Sequence, residues 1–163
     1  MKKVYFAGGC FWCIVPLFAS LNGVKKVYSG YSGGFVDNPT YEQVKTQQTG
    51  HRETILIEYD EKIISYEELL ETFILNVDPY DKDGQFIDKG HSYTLAIYYL
   101  DDSQYQIAKQ RIIKLKEESK KDVFIALEPF KKFYLAEQYH QDYYKKHPKE
   151  FLEELRKSGR KQK

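Results

Sequence analysis

Stretches of alternating apolar and polar residues are interleaved along this chain with stretches of helical spacing. The first apolar run, Val4-Tyr5-Phe6-Ala7, predicts a strand over 3–7. Ile14, Val15, Leu17 and Phe18 then fall on one helical face, so a helix is expected from near Cys10 to Leu21, ended by Asn22-Gly23. Pro16 fits that helix only near its first turn, where backbone N–H groups have no intrahelical partner. Strands are expected over 24–31 and 51–59, the second alternating around Ile55, Ile57 and Tyr59. Between them lie a loop of turn formers, 32–40, and one or two helical turns over 41–47. Ser65-Tyr66-Glu67-Glu68 is a capping box ahead of the helical face Leu69, Leu70, Phe73 and Ile74. Residues 78–92 make a polar loop whose length suggests function. A strand over 93–100, a helix over 103–120 opened by Ser103 and Gln106, a short strand over 123–127 and a helix over 136–145 complete the reading.

The order is β-α-β, again β-α-β, then α-β and a terminal helix. That predicts an α+β fold: a ferredoxin-like two-layer α/β sandwich with an added C-terminal helix and long loops, its helices on one face of a mixed or antiparallel sheet. The Cys10 turn, the region 40–52 and the loop 78–92 then all lie at strand ends. A length of 163 residues fits one domain, placed at 1–148, followed by a helical or frayed basic tail at 149–163 that is solvated from Lys157 onward.

Charge narrows the function classes. Charged residues make up 30% of the chain, yet the net charge is +1, so nothing in the balance favours nucleic acid or an anionic membrane as partner. Two cysteines do not make a disulfide scaffold. No long apolar stretch reads as a membrane span and no signal-peptide pattern precedes the first strand, so a cytoplasmic monomer with reduced thiols is expected. The 15 tyrosines read mainly as half-buried packing.

Both cysteines lie in one hexapeptide, Gly8-Gly9-Cys10-Phe11-Trp12-Cys13, between the first strand and the first helix. Two thiols three residues apart act locally, as a redox pair or half of a metal site. A helix N-terminus favours a thiolate at Cys10, and Phe11 and Trp12 offer an apolar wall beside it. A buried, purely structural Cys10 is the bland alternative, and it leaves the double glycine, the CxxC spacing and the tryptophan unexplained.

Six blocks resemble the A-type peptide methionine sulfoxide reductases, in family order from about residue 4 to residue 148. They are Gly8-Gly9-Cys10-Phe11-Trp12, Gly30-Tyr31-Ser32-Gly33-Gly34, Asn38-Pro39-Thr40-Tyr41, Thr49-Gly50-His51-Arg52-Glu53, the segment 84–93 and the segment 133–141. The resemblance implies an α/β sandwich and reduction of the S epimer of methionine sulfoxide, free or in proteins. It implies Cys10 as the nucleophile toward the sulfoxide sulfur and Glu53 as the acid that protonates the departing oxygen, which requires a raised pKa. It further implies Tyr41 and Tyr93 as phenols holding that oxygen, Phe11 and Trp12 as the cradle for the S-methyl group, and Asp88 as a carboxylate lining the pocket. His140 falls within the last block and is read as a buried hydrogen-bonding residue. No metal and no cofactor is implied; electrons come from thioredoxin or a small thiol.

One departure bears on the cycle. Many members carry resolving cysteines in the C-terminal segment, whereas this chain has none after Cys13, which stands where glycine is common. Cys10 and Cys13, three apart on a helical turn, have Cα atoms roughly 5–5.5 Å apart, within disulfide range. A sulfenic acid at Cys10 closing to a Cys10–Cys13 disulfide is therefore expected, with direct reduction of Cys10 by an external thiol as the alternative. Three other readings stand beside this one. A thioredoxin-like oxidoreductase also has CxxC between strand and helix, though there the tryptophan precedes the first cysteine. A metal module would join the cysteines to two of His51, His91, His140 and His147. A non-catalytic methionine-binding module would leave Glu53 in solvent.

Overall fold

The computed structural model describes residues Met1–Arg160. Its centre is a six-stranded sheet formed by β1 (Lys2–Gly8), β2 (Val24–Ser32), β3 (Arg52–Tyr59), β6 (Leu95–Tyr99), β7 (Ile125–Pro129) and β8 (Phe133–Leu135), in the order β7-β6-β1-β3-β2-β8. A separate hairpin pairs β4 (Gly84–Gln85) with β5 (Asp88–Lys89). The helices are α1 (Phe11–Ala19), α2 (Tyr41–Lys45), α3 (Tyr66–Leu75), α4 (Asp102–Ser119), α5 (Tyr143–Lys146) and α6 (Pro148–Ser158).

The four inner strands, β6-β1-β3-β2, are antiparallel neighbours joined through α1 and α3, which is the ferredoxin-like core. β7, parallel to β6, and β8, antiparallel to β2, extend it at the two edges. The period-2 pattern assigns the faces. Val4 and Phe6 on β1, Ile55 and Ile57 on β3, and Leu95 and Ile97 on β6 join Phe18, Leu69, Phe73 and Ile112 from the helices in the main core. Tyr5, Ala7, Ala96 and Tyr98 face the other way, under Phe130 and Phe133 of the β7–β8 connection. Tyr5 stacks on Phe130 with ring centroids 4.0 Å apart.

Several expected elements are redrawn. The loop at 78–92 contains the β4–β5 hairpin and ends in a 3-10 turn over His91–Tyr93, so Tyr93 precedes its strand instead of opening it. The helix expected over 136–145 is replaced by a 3-10 turn over Gln138–His140 and the short α5, directly after edge strand β8. Here Gln141 overrides local propensity. Its amide accepts from the Ser29 N–H at 2.9 Å and donates to the Ser29 carbonyl at 2.8 Å, doing for β2 what a strand backbone would do. Helix α4 is capped by Asp101, whose carboxylate accepts from the Gln104 N–H at 2.8 Å, and not by Ser103. Pro16 sits at the sixth position of α1, beyond the first turn, so the Trp12 carbonyl has no i+4 donor. The expected capping box at Ser65–Glu68 is present, and a further one forms at Thr40–Gln43.

The solvated end expected from Lys157 holds for Lys157 itself but not for Ser158 and Arg160. Ser158 ends α6 on a buried side chain, Gly159 caps it at φ +84°, and Arg160 turns inward to 8% exposure. The rest of the basic tail, 161–163, lies outside the described residues. No helix among the described residues is long and apolar enough to cross a membrane.

Candidate active site

Gly8 ends β1, and Gly9 turns the chain at φ +89° so that Cys10 becomes the N-cap of α1. The turn is crowded: a Cβ on Gly9 would lie 2.8 Å from both the Arg160 Nη2 and the Gln85 Cβ, so glycine is needed for space as well as for angle. The Cys13 N–H donates to the Cys10 carbonyl at 3.1 Å, tying the two cysteines to one helical turn. Cys10 is partly exposed and Cys13 is buried. The two thiols interact directly, Cys10 donating and Cys13 accepting, which pushes Cys10 well above the ordinary thiol range and pulls Cys13 below it. Burial and the nearby carboxyl groups of Glu53 and Asp88 push Cys10 up further, while Arg160 draws Cys13 down. The thiolate expected at Cys10 is therefore disfavoured in the resting pair, and Cys13 is the more acidic of the two thiols.

The helix N-terminus that would favour a Cys10 thiolate has another partner. The Phe11 N–H donates to the Glu53 Oε1 at 3.1 Å. Glu53 continues on β3 the inward stripe of Ile55, Ile57 and Tyr59, and it is 2% exposed. Burial pushes its carboxyl up to about 8, against the opposing pull of the Phe11 N–H and with a further push from Asp88. At neutral pH it is largely a neutral carboxylic acid, beside the sulfur and able to donate a proton.

Two phenols face the same point. Tyr41 opens α2, and Tyr93 ends the 3-10 turn before β6. Burial, then the Glu53 carboxyl, raises both above the ordinary phenol range, so both hydroxyls stay protonated as donors. Each also lies within the electrostatic reach of Cys10 and Asp88. Asp88, on the β4–β5 hairpin, is half-buried; burial raises its carboxyl against the pull of Arg160. Elements from four parts of the chain therefore bring Cys10, Cys13, Glu53, Tyr41, Tyr93 and Asp88 to one place.

The two aromatics of the motif separate. Trp12 is partly exposed, and its ring stacks on Tyr143 at 3.9 Å and lies 6.5 Å from that of Tyr41. Phe11 is 0% exposed, packed behind the site against Tyr31 and His140. His140 is buried, as expected, and its Nδ1 accepts from the Trp12 Nε1 at 3.1 Å. Burial lowers its pKa, which keeps the ring neutral and the acceptor free. Among the described residues no group of three or more His, Cys, Asp and Glu is disposed to hold a metal ion.

Two residues escape a sequence reading. Glu137 accepts from the Tyr31 hydroxyl and from the Tyr41 N–H, both at 2.9 Å, fixing the start of α2 to β8. Burial opposes its ionisation, but those donors hold the carboxyl below its ordinary value. Its only signal is its place in the last of the six blocks. Arg160 reaches 152 residues back to donate to the Gly8 carbonyl at 2.8 Å. In sequence it is one cation among several in Arg156-Lys157-Ser158-Gly159-Arg160-Lys161, and no local signal marks it.

A sequence model of the peptide methionine sulfoxide reductase family matches residues 2–163. The peptide methionine sulfoxide reductase MsrA 2 of Staphylococcus aureus strain MW2 is 50% identical over 165 residues, covering 99% of this chain and 93% of that one. The crystal structure of reduced Mxr1 from Saccharomyces cerevisiae matches with a TM-score of 0.85 at 27% identity, over 91% of this chain and 86% of that one. Mxr1 has also been solved in complex with Trx2. The methionine sulfoxide reductase A of Corynebacterium diphtheriae matches with a TM-score of 0.81 at 30% identity, over 90% of this chain and 75% of that one. A thiol pair beside a protonated carboxyl suits sulfoxide reduction, and with these matches the chain belongs to the peptide methionine sulfoxide reductase family, of the MsrA type that acts on the S epimer.

Proposed function

We propose that this reductase works through Cys10 as nucleophile, Glu53 as acid and Cys13 as resolving thiol, with thioredoxin as the final electron donor. The observation that carries the assignment is the buried Glu53 carboxyl, bonded to the N–H directly after Cys10 and protonated up to about pH 8. A sulfoxide oxygen leaves a sulfur centre only when protonated, and this acid is fixed beside the sulfur that attacks.

In the first step the sulfoxide oxygen accepts hydrogen bonds from the Tyr41 and Tyr93 hydroxyls and a proton from Glu53. Trp12 meets the methyl group, backed by Phe11 from the core. Cys10 gives up its thiol proton as its sulfur attacks, and that proton replaces the one Glu53 has donated. The oxygen moves from the substrate sulfur, which is reduced to the thioether, to Cys10, which is oxidised to the sulfenic acid. In sum, sulfoxide plus thiol gives methionine plus sulfenic acid, with no co-reactant needed. Asp88 lines the mouth of the pocket and is suited to accept from the backbone N–H groups of a peptide substrate.

In the second step the Cys13 thiol condenses with the sulfenic acid to give a Cys10–Cys13 disulfide and water. A dithiol donor then reduces the disulfide by exchange. Thioredoxin is proposed because the product is an intramolecular disulfide whose Cys10 end is partly exposed, and because the yeast relative Mxr1 forms a complex with Trx2.

One experiment tests the whole scheme. The fully reduced chain is mixed with an equimolar amount of each methionine sulfoxide epimer, without reductant. The S epimer should give about one methionine per chain with loss of both thiols, and mass spectrometry should find the Cys10–Cys13 link. A methionine burst that leaves Cys13 free and a sulfenic acid persisting at Cys10 would refute the resolving role.

A further inference from the structure

The Cys10–Cys13 turn is packed from beneath by a charge that the cycle above does not use. We propose that Arg160 is a positioning residue for the second step: its guanidinium clamps the Gly8-Gly9-Cys10 turn and supplies the positive charge opposite the Cys13 sulfur as that sulfur attacks the Cys10 sulfenic acid. The proposal rests on the reading of Cys13 as the resolving thiol.

The geometry of the clamp is specific. Arg160 Nη2 donates to the Gly8 carbonyl at 2.8 Å, and Nη1 donates to the carbonyl of Asn76, the C-cap of α3, at 3.1 Å. The guanidinium lies over the Phe86 ring at 4.8 Å, in the turn between β4 and β5. One planar group thus ties the nucleophile turn to α3 and to the hairpin carrying Asp88. The approach is directed: the Ser158 Oγ accepts from the Arg160 N–H at 3.1 Å and donates to the Leu155 carbonyl at 2.7 Å, so the helix end folds its last side chain inward. A single added methyl group on Gly9 would strike Nη2, which shows how closely the guanidinium underlies the turn.

Two carbonyls satisfy two of the guanidinium donors but none of its charge. Arg160 is 8% exposed, and its buried Nε has no hydrogen-bond partner among the described residues. A buried cation needs a facing anion. The anionic groups whose charge acts on it are the sulfurs of Cys13 and Cys10 and the carboxyl of Asp88 on β5. The groups that act on Cys13 are Cys10 on its own turn, Asp88, Glu154 on α6, Glu53 on β3 and Arg160. Arg160 is the only cation in that set; the carboxyl groups all oppose a thiolate. Burial raises the Asp88 carboxyl against the pull of Arg160, and the Gly9 contact sets the guanidinium directly under the cysteine turn. The consequence falls on the second step, in which Cys13 must supply its electron pair: the thiolate attacks the sulfenic sulfur, the Cys10 S–O bond breaks, and the hydroxide released takes a proton to become water.

The test compares the full chain with Arg160→Gln, Arg160→Lys and Arg160→Met. Each is read in two ways. The first reading is the methionine burst without reductant. The second is the pH midpoint for iodoacetamide alkylation of Cys13, measured in a shared Cys10→Ser background so that only one thiol reacts. All variants should retain a burst of about one methionine per chain. The alkylation midpoint should rise by about one pH unit or more in Arg160→Gln, as expected on loss of a facing charge, and Arg160→Lys should recover most of that shift. Closure of the disulfide at neutral pH, followed by dimedone trapping of the sulfenic acid, should slow about tenfold in Arg160→Gln. Arg160→Met fills the same space without a buried polar group and should show the same rise, which carries the test if the glutamine variant folds poorly. Unmoved midpoints in Arg160→Gln or Arg160→Met beside a normal burst would overturn this proposal and leave the functional reading standing. A wild-type chain that gives no burst would overturn both.

Discussion

Glu53 accepts a 3.1 Å hydrogen bond from the backbone N–H of Phe11, the residue directly after Cys10. One carboxyl oxygen is thereby anchored to the first turn of the helix that Cys10 caps, leaving the other to hold the proton. The acid and the sulfur are set on different elements, β3 and the β1–α1 turn, and this bond fixes the one to the other before substrate arrives. A helix N–H alone would favour the carboxylate. Burial outweighs it and leaves the carboxyl near pKa 8.

Replacing the acid tests that balance. Glu53→Gln keeps an acceptor for the Phe11 N–H and removes the proton. The rate of S-sulfoxide reduction should fall on the order of 10² or more with KM little changed, because proton donation acts on the transition state. In the wild type, kcat should decline as pH rises through about 8, where Glu53 loses its proton, and the residual activity of Glu53→Gln should lack that limb. A rate near that of the wild type would move proton donation to Tyr41, Tyr93 or water.

The same carboxyl should mark the pH dependence of stability. Its folded value, about 8, lies above its ordinary value of 4.5, so the native state holds the proton more tightly than the unfolded chain. Its contribution is therefore full below pH 4.5 and is lost as pH rises toward 8, at about 1.4 kcal/mol per unit over that window. Glu53→Gln cannot ionise. Its unfolding free energy relative to the wild type, from urea titrations between pH 5 and 9, should climb and then level off above about 8. A difference that stays flat with pH would show that Glu53 ionises at its ordinary value.

Cys10→Ser should abolish reduction of the S sulfoxide, since a hydroxyl does not replace a thiol as nucleophile at this sulfur. More than trace turnover in a methionine-release assay would refute the assignment.

Cys13→Ser separates the two chemical steps. About one methionine per chain should still form without reductant, while turnover with thioredoxin should fall sharply because no disulfide forms for it to attack. Dithiothreitol should restore much of the activity by reducing the sulfenic acid directly. Normal cycling with thioredoxin would make Cys13 a packing residue.

Gly9→Ala tests the turn itself. The new methyl group requires φ near +89° and meets the Arg160 Nη2 and the Gln85 Cβ at 2.8 Å. The variant should lose about 1–3 kcal/mol of unfolding free energy, and its methionine burst should slow as Cys10 shifts against Glu53. An unchanged denaturation midpoint would mean that the turn tolerates a side chain.

The sequence carried those parts of the protein whose causes are local. The apolar alternation of Ile55, Ile57 and Tyr59 extends back to Glu53, so period 2 alone puts that carboxyl on the core face and Arg52 on the other. The capping box at Ser65 depends on residues three apart and is present. The Cys10–Cys13 spacing makes one turn of helix whatever surrounds it. The order of strands and helices likewise gave the ferredoxin-like core, because each crossover is written in a contiguous stretch.

Tertiary structure decided the rest, through partners far away in sequence. Edge strand β8 exists because β2 offers an open edge and Gln141 completes it from 112 residues away. Phe11 and Trp12 are adjacent and chemically alike, but packing against Tyr31 buries the first completely while His140 and Tyr143 hold the second at the surface. Cys10 is the less acidic thiol of the pair because Cys13 accepts from it, burial disfavours its charge and Glu53 takes the helix N–H, while Arg160 draws Cys13 down. Arg160 itself is one basic residue in a basic run; only a fold that buries its guanidinium against Gly8 turns its charge from solvation to chemistry.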